Sequence, residues 1–136
     1  MERDPQAHWL ETETALHYAR AAVRVGMWAS ERVLIERHFS KSQRILELGC
    51  GGGQDAARIA ARGFTVDATD GTPAMVAKAN ERWGVGARVM AFDQLDAEAA
   101  YDGVWAHASL LHCPREALPD VLARIHRALR PGGWFF

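Results

Sequence analysis

The sequence contains no uninterrupted apolar run that approaches the ~18–20 residues of a membrane-spanning helix. Its first five residues also lack the charged and then apolar pattern of a secretory signal peptide. The charges nearly cancel, with 16 Lys and Arg against 17 Asp and Glu and a formal net charge of −1. Because there is no basic excess for contacting phosphates, neither nucleic acid nor a membrane is an expected partner. A cytoplasmic location is the expectation.

Cysteine is scarce as well, since the chain has only Cys50 and Cys113. Their separation fits neither a zinc-binding pattern nor a C-x-x-C redox pair, and a disulfide framework is not expected. We expect reduced thiols, as is usual in a cytosolic protein. The four histidines on the predicted helical segments have no metal-ligating neighbours at a suitable spacing, so no metal site is predicted.

The chain does contain enough apolar material for one compact core. Its 136 residues suit a single domain, and 49% of them are hydrophobic, with five Trp and five Phe. Residues 8–39 have apolar positions at helical spacing, with a break near Gly26 and Ser30. The second apolar face, after that break, comprises Val33, Leu34, Ile35 and Phe39. This pattern predicts an N-terminal helical cap over residues 1–40, followed by the main part of the domain over residues 41–136.

From residue 44 onward, short apolar runs alternate with helical patterns. Strands are predicted at residues 44–48, 64–69, 88–92, 101–106 and 134–136. Helices are predicted from the glycine run to Gly63, from Pro73 to about Trp83, and over 118–129, with Val121, Leu122, Ile125 and Leu129 on one face. Strands that alternate with helices indicate an α/β fold, a doubly wound and mostly parallel sheet with helices on both faces.

The segment Glu47-Leu48-Gly49-Cys50-Gly51-Gly52-Gly53 links the first predicted strand to the helix that follows it. Glycines allow the backbone to turn tightly and to approach a ligand with no Cβ in between. The helix directs its free N–H groups at whatever lies against the loop. A plain glycine-rich turn would look similar, but the position between strand and helix, with an acid at the strand end, favours a ligand-binding loop.

Two kinds of nucleotide ligand fit this loop. Gly51, Gly53 and Ala56 satisfy the dinucleotide pattern G-x-G-x-x-A, and Asp70 lies near the expected distance of about 20 residues further on. The carboxylate of Glu47 would repel a pyrophosphate, whereas it would attract a ligand that carries an ammonium group. Asp70 suits both ligands because a carboxylate can accept hydrogen bonds from two ribose hydroxyls. An NAD(P)-binding oxidoreductase is therefore one alternative.

Five motifs in order make the chain resemble the class I S-adenosylmethionine-dependent methyltransferases, which have a Rossmann-like fold. The segment over residues 47–53 is similar to the first motif of that family. Asp70 stands at the position of the ribose-binding acid, and Phe92-Asp93 matches the adenine-binding segment. The other two matches are the fourth-strand motif over residues 101–106 and the turn over residues 129–133. The resemblance covers about residues 40–136.

The resemblance implies S-adenosyl-L-methionine as the cofactor and S-adenosyl-L-homocysteine as its product. It places the glycine loop beside the methionine part, with Glu47 facing the amino group and Asp70 holding the ribose. It also assigns a larger set of residues to the cofactor site, namely Gly49, Cys50, Gly51, Gly53, Gly71, Met75, Phe92, Asp93, Ala106 and His107. Tyr18, in the N-terminal helices, is a further candidate because its hydroxyl could reach the cofactor carboxylate.

His107 and His112 flank the loop that follows the fourth predicted strand, at the sheet edge where open α/β folds bind ligands. Histidine titrates near neutral pH, so either residue could act as a general base or orient the methyl acceptor. Each could equally be a hydrogen-bonded histidine at the start of a helix. No base is required where an already nucleophilic atom needs only in-line positioning.

The function implied by the resemblance is methyl transfer to an acceptor that is expected to be a small molecule, and a homodimer is compatible with it. A non-catalytic module that binds the cofactor or its demethylated product is a third alternative. The family's sheet normally has seven strands, whereas this chain stops three residues into the fifth predicted strand. We therefore expect a C-terminally shortened domain with a complete cofactor half. We also expect residues 1–136 alone to be less stable, or more prone to associate, than a longer version.

Overall fold

A computed structural model describes residues 28–136, which form one parallel β-sheet with helices on both faces. The five strands are β1 (Arg44–Leu48), β2 (Thr65–Asp70), β3 (Arg88–Val89), β4 (Tyr101–Trp105) and β5 (Leu129–Phe135). The α-helices of these residues are α1 (Trp28–His38), α2 (Gln54–Ala61), α3 (Pro73–Trp83) and α4 (Leu118–Ala128), with 3₁₀ turns at Phe92–Gln94 and Leu110–His112. The predicted fold class is confirmed.

The strand order is β3-β2-β1-β4-β5, and all neighbouring strands run parallel. Four of the five residues of β1 are buried, which is typical of a central strand covered on both faces. The chain extends the sheet from β1 first towards β2 and β3, and then on the opposite side towards β4 and β5. The carboxyl ends of β1 and β4 therefore border a topological switch point, the position where open α/β sheets bind ligands.

Side-chain alternation along β1 separates two apolar layers. Ile45 packs on one face with Ile59 of α2, with Trp105 of β4 and with the buried side of α1. Leu46 and Leu48 pack on the opposite face with the buried side of α4. A third cluster of small side chains joins α2 to α3. Helices thus cover both faces around the switch point and hold the strand ends in place.

Helix α1 contacts the sheet through Ile35 and Phe39, one helical turn apart. A Cβ on Gly103 of β4 would overlap the ring of Phe39, so this glycine makes room for the aromatic side chain. Val33 and Leu34 are 52% and 37% exposed because they point away from the sheet, and the predicted apolar face is narrower than expected. The predicted break near Gly26 and Ser30 does not include Ser30, since α1 is continuous over Trp28–His38, and Gly26 lies outside the described residues.

Strand β3 is shorter than predicted and comprises only Arg88–Val89. One more backbone hydrogen bond to β2 follows, from the N–H of Met90 to the carbonyl of Asp70 (2.9 Å). The chain then enters a 3₁₀ turn, where the side-chain carbonyl of Gln94 accepts from the N–H of Ala91 (2.7 Å). This local capping competes with the strand ladder, and alternation of apolar residues cannot reveal it.

Strand β5 begins earlier than predicted. Leu129 already pairs with Tyr101 of β4, and regular pairing resumes where Trp134 lies beside Gly103. The intervening irregularity includes Gly132, which has a φ of +81°. The predicted turn over residues 129–133 is thus an irregularity within the strand, because α4 delivers the chain directly to the sheet.

On α4, Val121 and Ile125 are buried as predicted, but Leu122 is 41% exposed and does not belong to the inward face. The predictions for residues 8–27, including the role of Tyr18, lie outside the described residues. The domain boundary at residue 40 stays a prediction. Within residues 28–136, no helix is both long and apolar enough to cross a membrane, and no group of three His, Cys, Asp or Glu side chains could hold a metal ion.

Candidate functional site

Three strands end together at one edge of the sheet. Glu47 lies one residue before the end of β1, Asp70 is the last residue of β2, and Ala106 follows β4. The strand register places Glu47 between Ala68 of β2 and Trp105 of β4. The predicted site residues on these strands therefore lie along the same edge, around the switch point.

The loop between β1 and α2 is a compact turn of residues 49–53. Gly49, Gly51 and Gly53 all have positive φ angles, of 74°, 53° and 81°. The N–H of Cys50 donates to the carbonyl of Thr69 in β2 (2.7 Å), and the N–H of Gly53 donates to the carbonyl of Cys50 (3.0 Å). Residues with side chains rarely adopt positive φ, so the glycine pattern sets the path of this loop.

Both carboxylate oxygens of Asp70 accept hydrogen bonds from the backbone of the site. The N–H of Gly51 donates to Oδ2 and the N–H of Thr72 donates to Oδ1, each at 2.9 Å. Burial raises the pKa of this carboxyl, and the bonds from Thr72 and Gly51, with the nearby His112, offset the rise only in part. Each carboxylate oxygen has two acceptor positions, so Asp70 keeps acceptor capacity for the hydroxyls of a ligand.

Glu47 is only 4% exposed, and its Oε2 has no hydrogen-bond partner among residues 28–136. Burial, followed by the negative charges of Asp55 and Asp70, raises the pKa of this carboxyl well above its ordinary value. An ionised carboxylate in such surroundings is costly unless a ligand brings hydrogen-bond donors or a positive charge. The surroundings of Glu47 therefore suit an ammonium group.

Cys50 lies behind the loop, where its side chain packs in the cluster of small residues between α2 and α3. Burial, and then the carboxylates of Glu47 and Asp70, raise the pKa of its thiol. A thiol with a raised pKa is a poor nucleophile because the thiolate is the reactive form. Cys113 is also buried. Only the backbone of Cys50 is suited to contact a ligand.

The residues predicted for the adenine side come from three segments. The ring of Phe92 lies 3.7 Å from the point that a Cβ of Gly49 would occupy, so this side chain reaches the loop. Met75 is buried in the first turn of α3, and Gly71 is half-buried between β2 and α3. Asp93 is exposed in the 3₁₀ turn. The structure thus brings Phe92 to the loop and leaves Asp93 at the surface.

His107, directly after Ala106, contacts two side chains. Its Nε2 lies 3.6 Å from Oε1 of Glu31 on α1, and its ring stacks on Trp105 with 5.7 Å between ring centroids. Trp105 is itself oriented by its Nε1–H, which donates to Asp55 (3.4 Å). Glu31 is buried and His107 is exposed, so a buried carboxylate orients an accessible imidazole. Sequence reasoning misses Glu31 because nothing in its local pattern distinguishes it from other helical acids.

His112 borders a different part of the site. It lies in the second 3₁₀ turn, close enough to Asp70 that its charge lowers the pKa of that carboxyl. The two histidines that the sequence suggests as catalytic are therefore separated in role: His107 faces Glu31 and Trp105, whereas His112 faces Asp70.

Buried polar atoms without a hydrogen-bond partner concentrate at the glycine loop. Among residues 28–136 there are four, namely Nε of Arg32, Oε2 of Glu47, Oε1 of Gln54 and Oγ of Ser109. Glu47 precedes the loop, Gln54 follows it, and Ser109 packs on Gly49. Folded proteins leave few such atoms unsatisfied, so this concentration indicates a place prepared for a polar ligand. Gln54 and Ser109 belong to no spaced pattern, and sequence analysis misses both.

The fold and the candidate site comprise a parallel α/β sheet with a glycine loop at its topological switch point, an acid with acceptor capacity to spare, and a buried carboxyl that suits a cationic group. A family model described as a methyltransferase domain matches residues 45–133. The chain belongs to this family, the class I S-adenosylmethionine-dependent methyltransferases. The resemblance inferred from the five sequence motifs is confirmed.

Three similar proteins illustrate the relationship. The chain is 33% identical over 99 residues to an uncharacterized methyltransferase of Synechocystis sp., an alignment that covers 71% of this chain and 47% of that protein. It is 37% identical over 100 residues to 27-O-demethylrifamycin SV methyltransferase of Amycolatopsis mediterranei, which covers 66% of this chain and 36% of that protein. The chain thus spans less than half the length of both curated relatives.

The third is a solved structure, Burkholderia thailandensis 1,6-didemethyltoxoflavin-N1-methyltransferase with bound 1,6-didemethyltoxoflavin and S-adenosylhomocysteine. It matches with a TM-score of 0.72 and 26% sequence identity, over 99% of this chain and 63% of that chain. The similarity extends over nearly all of the present chain, and it agrees with the class I methyltransferase fold of residues 28–136.

Proposed function

We propose that this domain binds S-adenosyl-L-methionine at the glycine loop and transfers the methyl group to a small-molecule acceptor. The observation that carries the proposal is the buried carboxyl of Glu47, which has no partner for Oε2 among residues 28–136. The cofactor offers this group an ammonium, whereas a dinucleotide would bring a pyrophosphate to the same place. When bound, the cofactor supplies an electrophilic methyl group, and the protein supplies binding, orientation and electrostatics.

The sugar and the base of the cofactor have separate proposed partners. Asp70 accepts from the ribose hydroxyls, with its carboxylate held in place by the N–H groups of Gly51 and Thr72. The ring of Phe92 lies against the adenine, since it already reaches the loop. The same proposal keeps the remaining predicted contacts, which are Gly49, Cys50 through its backbone, Gly53, Gly71, Met75, Asp93, Ala106, His107 and Tyr18.

Gly53 has a structural requirement in addition to its place in the loop. A Cβ there would lie 2.7 Å from the Cβ of Ala79 on α3, closer than such atoms approach in proteins. The absence of a side chain therefore lets α2 pack against α3. Gly49 has a similar requirement, since a Cβ there would overlap the Cβ of Ser109, so both glycines are weaker arguments for a ligand than Gly51.

The proposed acceptor is a small molecule. Two of the similar proteins are named for 27-O-demethylrifamycin SV and 1,6-didemethyltoxoflavin, which are small molecules. The formal net charge of −1 offers no attraction for a nucleic acid. These two observations support a low-molecular-weight acceptor and leave its identity to experiment.

His107 is the proposed contact with the acceptor. Its Nε2 faces Glu31 at 3.6 Å and its side chain is 42% exposed, so the ring is accessible to a substrate. An acceptor hydroxyl or N–H could pass its proton to Nδ1 while Glu31 stabilises the positive charge on the ring. His112 is the second candidate, but its proximity to Asp70 places it nearer the ribose side.

Binding is tested first, by isothermal titration of the protein with S-adenosylhomocysteine and, separately, with NAD. We expect saturable binding of S-adenosylhomocysteine and no binding of NAD. Binding of NAD alone would overturn the proposal and restore the oxidoreductase alternative.

Catalysis is tested with S-adenosylmethionine labelled in its methyl group. The acceptor panel includes 27-O-demethylrifamycin SV, 1,6-didemethyltoxoflavin and simpler phenols, alcohols and amines. We expect label in at least one acceptor, with a lower rate in His107→Gln. Tight S-adenosylhomocysteine binding with no transfer to any acceptor would favour the non-catalytic binding module.

We also retain two predictions about the setting in which the domain works. The proposed cytoplasmic location rests on the scarcity of cysteine in the sequence, which has only two. A homodimer is testable by light scattering at several protein concentrations. A reducing-compartment location is testable by fractionation of cells that produce the full-length protein.

A further inference from the structure

A cleft of about 460 Å³ lies between α2 and the end of α3. Helix α2 lines it with one face, which includes Gln54, Ala57, Arg58 and Ala61, and the opposite wall is formed by residues 83–85. Its volume is within the usual range of small-molecule sites. None of the residues that the family resemblance assigns to the cofactor lines this cleft, so it is separate from the candidate site at the strand ends.

The cleft follows from the local structure of its two walls. Ala57 and Ala61 are one helical turn apart, and their small side chains leave space on α2 that longer side chains would fill. On the other wall, Gly84 has a φ of +61° and its N–H donates to the carbonyl of Asn80 (2.9 Å), so α3 ends there and the chain turns. The side chain of Asn80 then bonds both backbone groups of Ala87 (2.9 and 2.7 Å). These bonds hold this wall of the cleft in place without a ligand.

Trp83 is the largest side chain of the cleft and is 43% exposed. One edge of its ring adjoins the last glycine of the loop, since a Cβ on Gly53 would lie 3.4 Å from Cδ1 of Trp83. The ring lines the cleft together with the apolar side chains of Ala57 and Val85. A planar aromatic ligand that packs on this ring would remove apolar surface from water and gain ring–ring contact.

The polar groups of the cleft add a second requirement. Oε1 of Gln54 is buried and has no hydrogen-bond partner among residues 28–136. A carboxamide oxygen is only an acceptor, so a ligand must bring an N–H or O–H donor to it. The side chain of Arg58 is 29% exposed and forms an ion pair with Asp55 (Nη1 to Oδ1, 4.0 Å), so the charges beside the cleft balance. The cleft therefore suits a neutral ligand better than a charged one.

We propose that the cleft between α2 and α3 is a second binding site, which takes a neutral, planar heteroaromatic molecule with an N–H donor. The ring of such a molecule packs on Trp83, and its N–H donates to Oε1 of Gln54. Binding thereby satisfies the buried oxygen and covers the exposed indole in one step. The proposal does not rest on the proposed function, because it depends only on the residues of the cleft.

The test uses two probes that differ in one hydrogen-bond donor. Indazole is a neutral planar heteroaromatic with an N–H, and in 1-methylindazole a methyl group replaces that hydrogen. In an NMR titration of the wild-type protein we expect indazole to bind with a Kd of about 1 mM or lower, and 1-methylindazole to bind at least about 10-fold more weakly. With saturating S-adenosylhomocysteine present, the affinity for indazole should stay within about 2-fold.

Three substitutions locate the bound probe. Trp83→Leu removes the ring, and Ala57→Leu fills the cleft with a good helix former, so each should weaken indazole binding by at least about 10-fold. Gln54→Leu should remove the difference between the two probes. Trp134→Leu is the matched control, because Trp134 is 47% exposed on β5, outside the cleft, and the affinity should stay within about 2-fold of the wild type.

Circular dichroism checks that each variant is folded, and Ala57→Leu alone decides if Trp83→Leu is not. The proposal is overturned if the wild type shows no saturable binding of indazole, if it binds both probes equally, or if S-adenosylhomocysteine displaces indazole. Wild-type affinity in a folded Trp83→Leu or Ala57→Leu protein, a preference for indazole that persists in Gln54→Leu, or an equal loss in Trp134→Leu would overturn it as well.

Discussion

Asp67 and Asp70 lie three residues apart on β2, and their surroundings are opposite in kind. Asp67 accepts hydrogen bonds from Nε and Nη2 of Arg88 (3.1 and 2.9 Å) and from the hydroxyl of Tyr101. Burial alone would raise its pKa, but these bonds and the charges of Arg88 and Arg44 outweigh burial and lower it. The pKa of Asp70 is raised instead, because it is more deeply buried and no Lys or Arg pairs with it within residues 28–136.

This difference separates a carboxylate whose pKa is set mainly by ion pairing and hydrogen bonds from carboxylates whose pKa is set mainly by burial. Asp67 is already paired with Arg88 and Tyr101 within the protein, so its carboxylate needs no hydrogen-bond donor from a ligand. Glu47 and Asp70 share one sheet edge, and their mutual repulsion contributes to the raised pKa of Glu47. Groups with strongly perturbed pKa values near a cleft are enriched at functional sites. Here the pKa is raised for Glu47 and Asp70 at the sheet edge and lowered for Asp67, which is paired with Arg88.

The largest expected effect is on ligand binding in Asp70→Ala. Loss of two charge-assisted hydrogen bonds to the ribose, each worth about 1.5–3 kcal/mol, should weaken S-adenosylhomocysteine binding by about 100-fold or more. Asp67→Asn is the control on the same strand and should bind within about 2-fold of the wild type. Isothermal titration measures both, and circular dichroism checks that each variant is folded. Equal affinities in Asp70→Ala and the wild type would remove Asp70 from the site.

The next largest effect is expected on the pH dependence of the free energy of unfolding, to which Glu47 contributes because its pKa is raised on folding. The pKa of Glu47 is higher in the folded protein than in the unfolded chain. Its contribution to the free energy of unfolding is therefore fully favourable below the unfolded pKa of about 4.3, and this contribution is lost as the pH rises through the folded pKa. Each pH unit within that window costs the ligand-free domain about 1.4 kcal/mol. Glu47→Gln should remove this loss, and its stability advantage over the wild type should therefore grow with pH.

Urea denaturation of both ligand-free proteins between pH 4.5 and pH 8 measures this difference. Asp70 has a pKa raised in the same direction, so part of the pH dependence should persist in Glu47→Gln. Parallel curves for the two proteins over the whole range would contradict an unsatisfied carboxyl at Glu47.

A smaller effect of opposite sign is expected for Asp67. The pKa of Asp67 is lower in the folded protein than in the unfolded chain. Its contribution to the free energy of unfolding is therefore present above the unfolded pKa of about 3.9 and is lost as the pH falls through the folded pKa. Asp67→Asn should destabilise the domain at pH 7 by about 1 kcal/mol, a modest value because Arg88 is half exposed. The difference from the wild type should shrink below pH 4. Urea denaturation at pH 7 and pH 3.5 is the measurement, and a stabilised variant at pH 7 would be inconsistent with the ion pair.

The smallest effect is expected at the pair between Arg62 and Glu36, which joins the end of α2 to α1 with a 2.9 Å contact. Both side chains are about two-fifths exposed, so solvent screens the pair and Arg62→Gln should cost about 0–1 kcal/mol. Thermal melting should show a change of no more than a few degrees, with no change in S-adenosylhomocysteine affinity. A loss clearly larger than that of Asp67→Asn would mean that exposure does not rank these pairs.

The sequence predicted much of the fold because the relevant signals are local. The apolar run Arg44–Leu48 and the glycines after it predict β1 and the loop, and Pro73 with Trp83 marks the bounds of α3 as observed. The errors lie where side chains compete with a regular pattern. Capping by Gln94 shortens β3, and the direct entry of α4 into the sheet moves the start of β5 to Leu129.

The site was predictable to a different degree for different residues. Glu47, the loop glycines and Asp70 follow from their position at strand ends, which the alternation of strands and helices already indicates. Glu31 and Ser109 were not predictable, because each becomes a candidate only through a partner far away in the chain. Glu31 meets His107 across 76 positions of sequence, and Ser109 meets Gly49 across 60.

The sequence by itself determined the order of strands and helices, the path of the glycine loop and the family to which the chain belongs, because periodicity, turn residues and motif spacing are properties of neighbouring residues. Only the tertiary structure decided which acids are satisfied. Asp67 and Asp70 look alike in the sequence, but the first is paired with Arg88 and Tyr101, whereas the second is buried with no Lys or Arg partner in residues 28–136. Desolvation and hydrogen-bond pairing depend on groups that the chain brings together only when it folds.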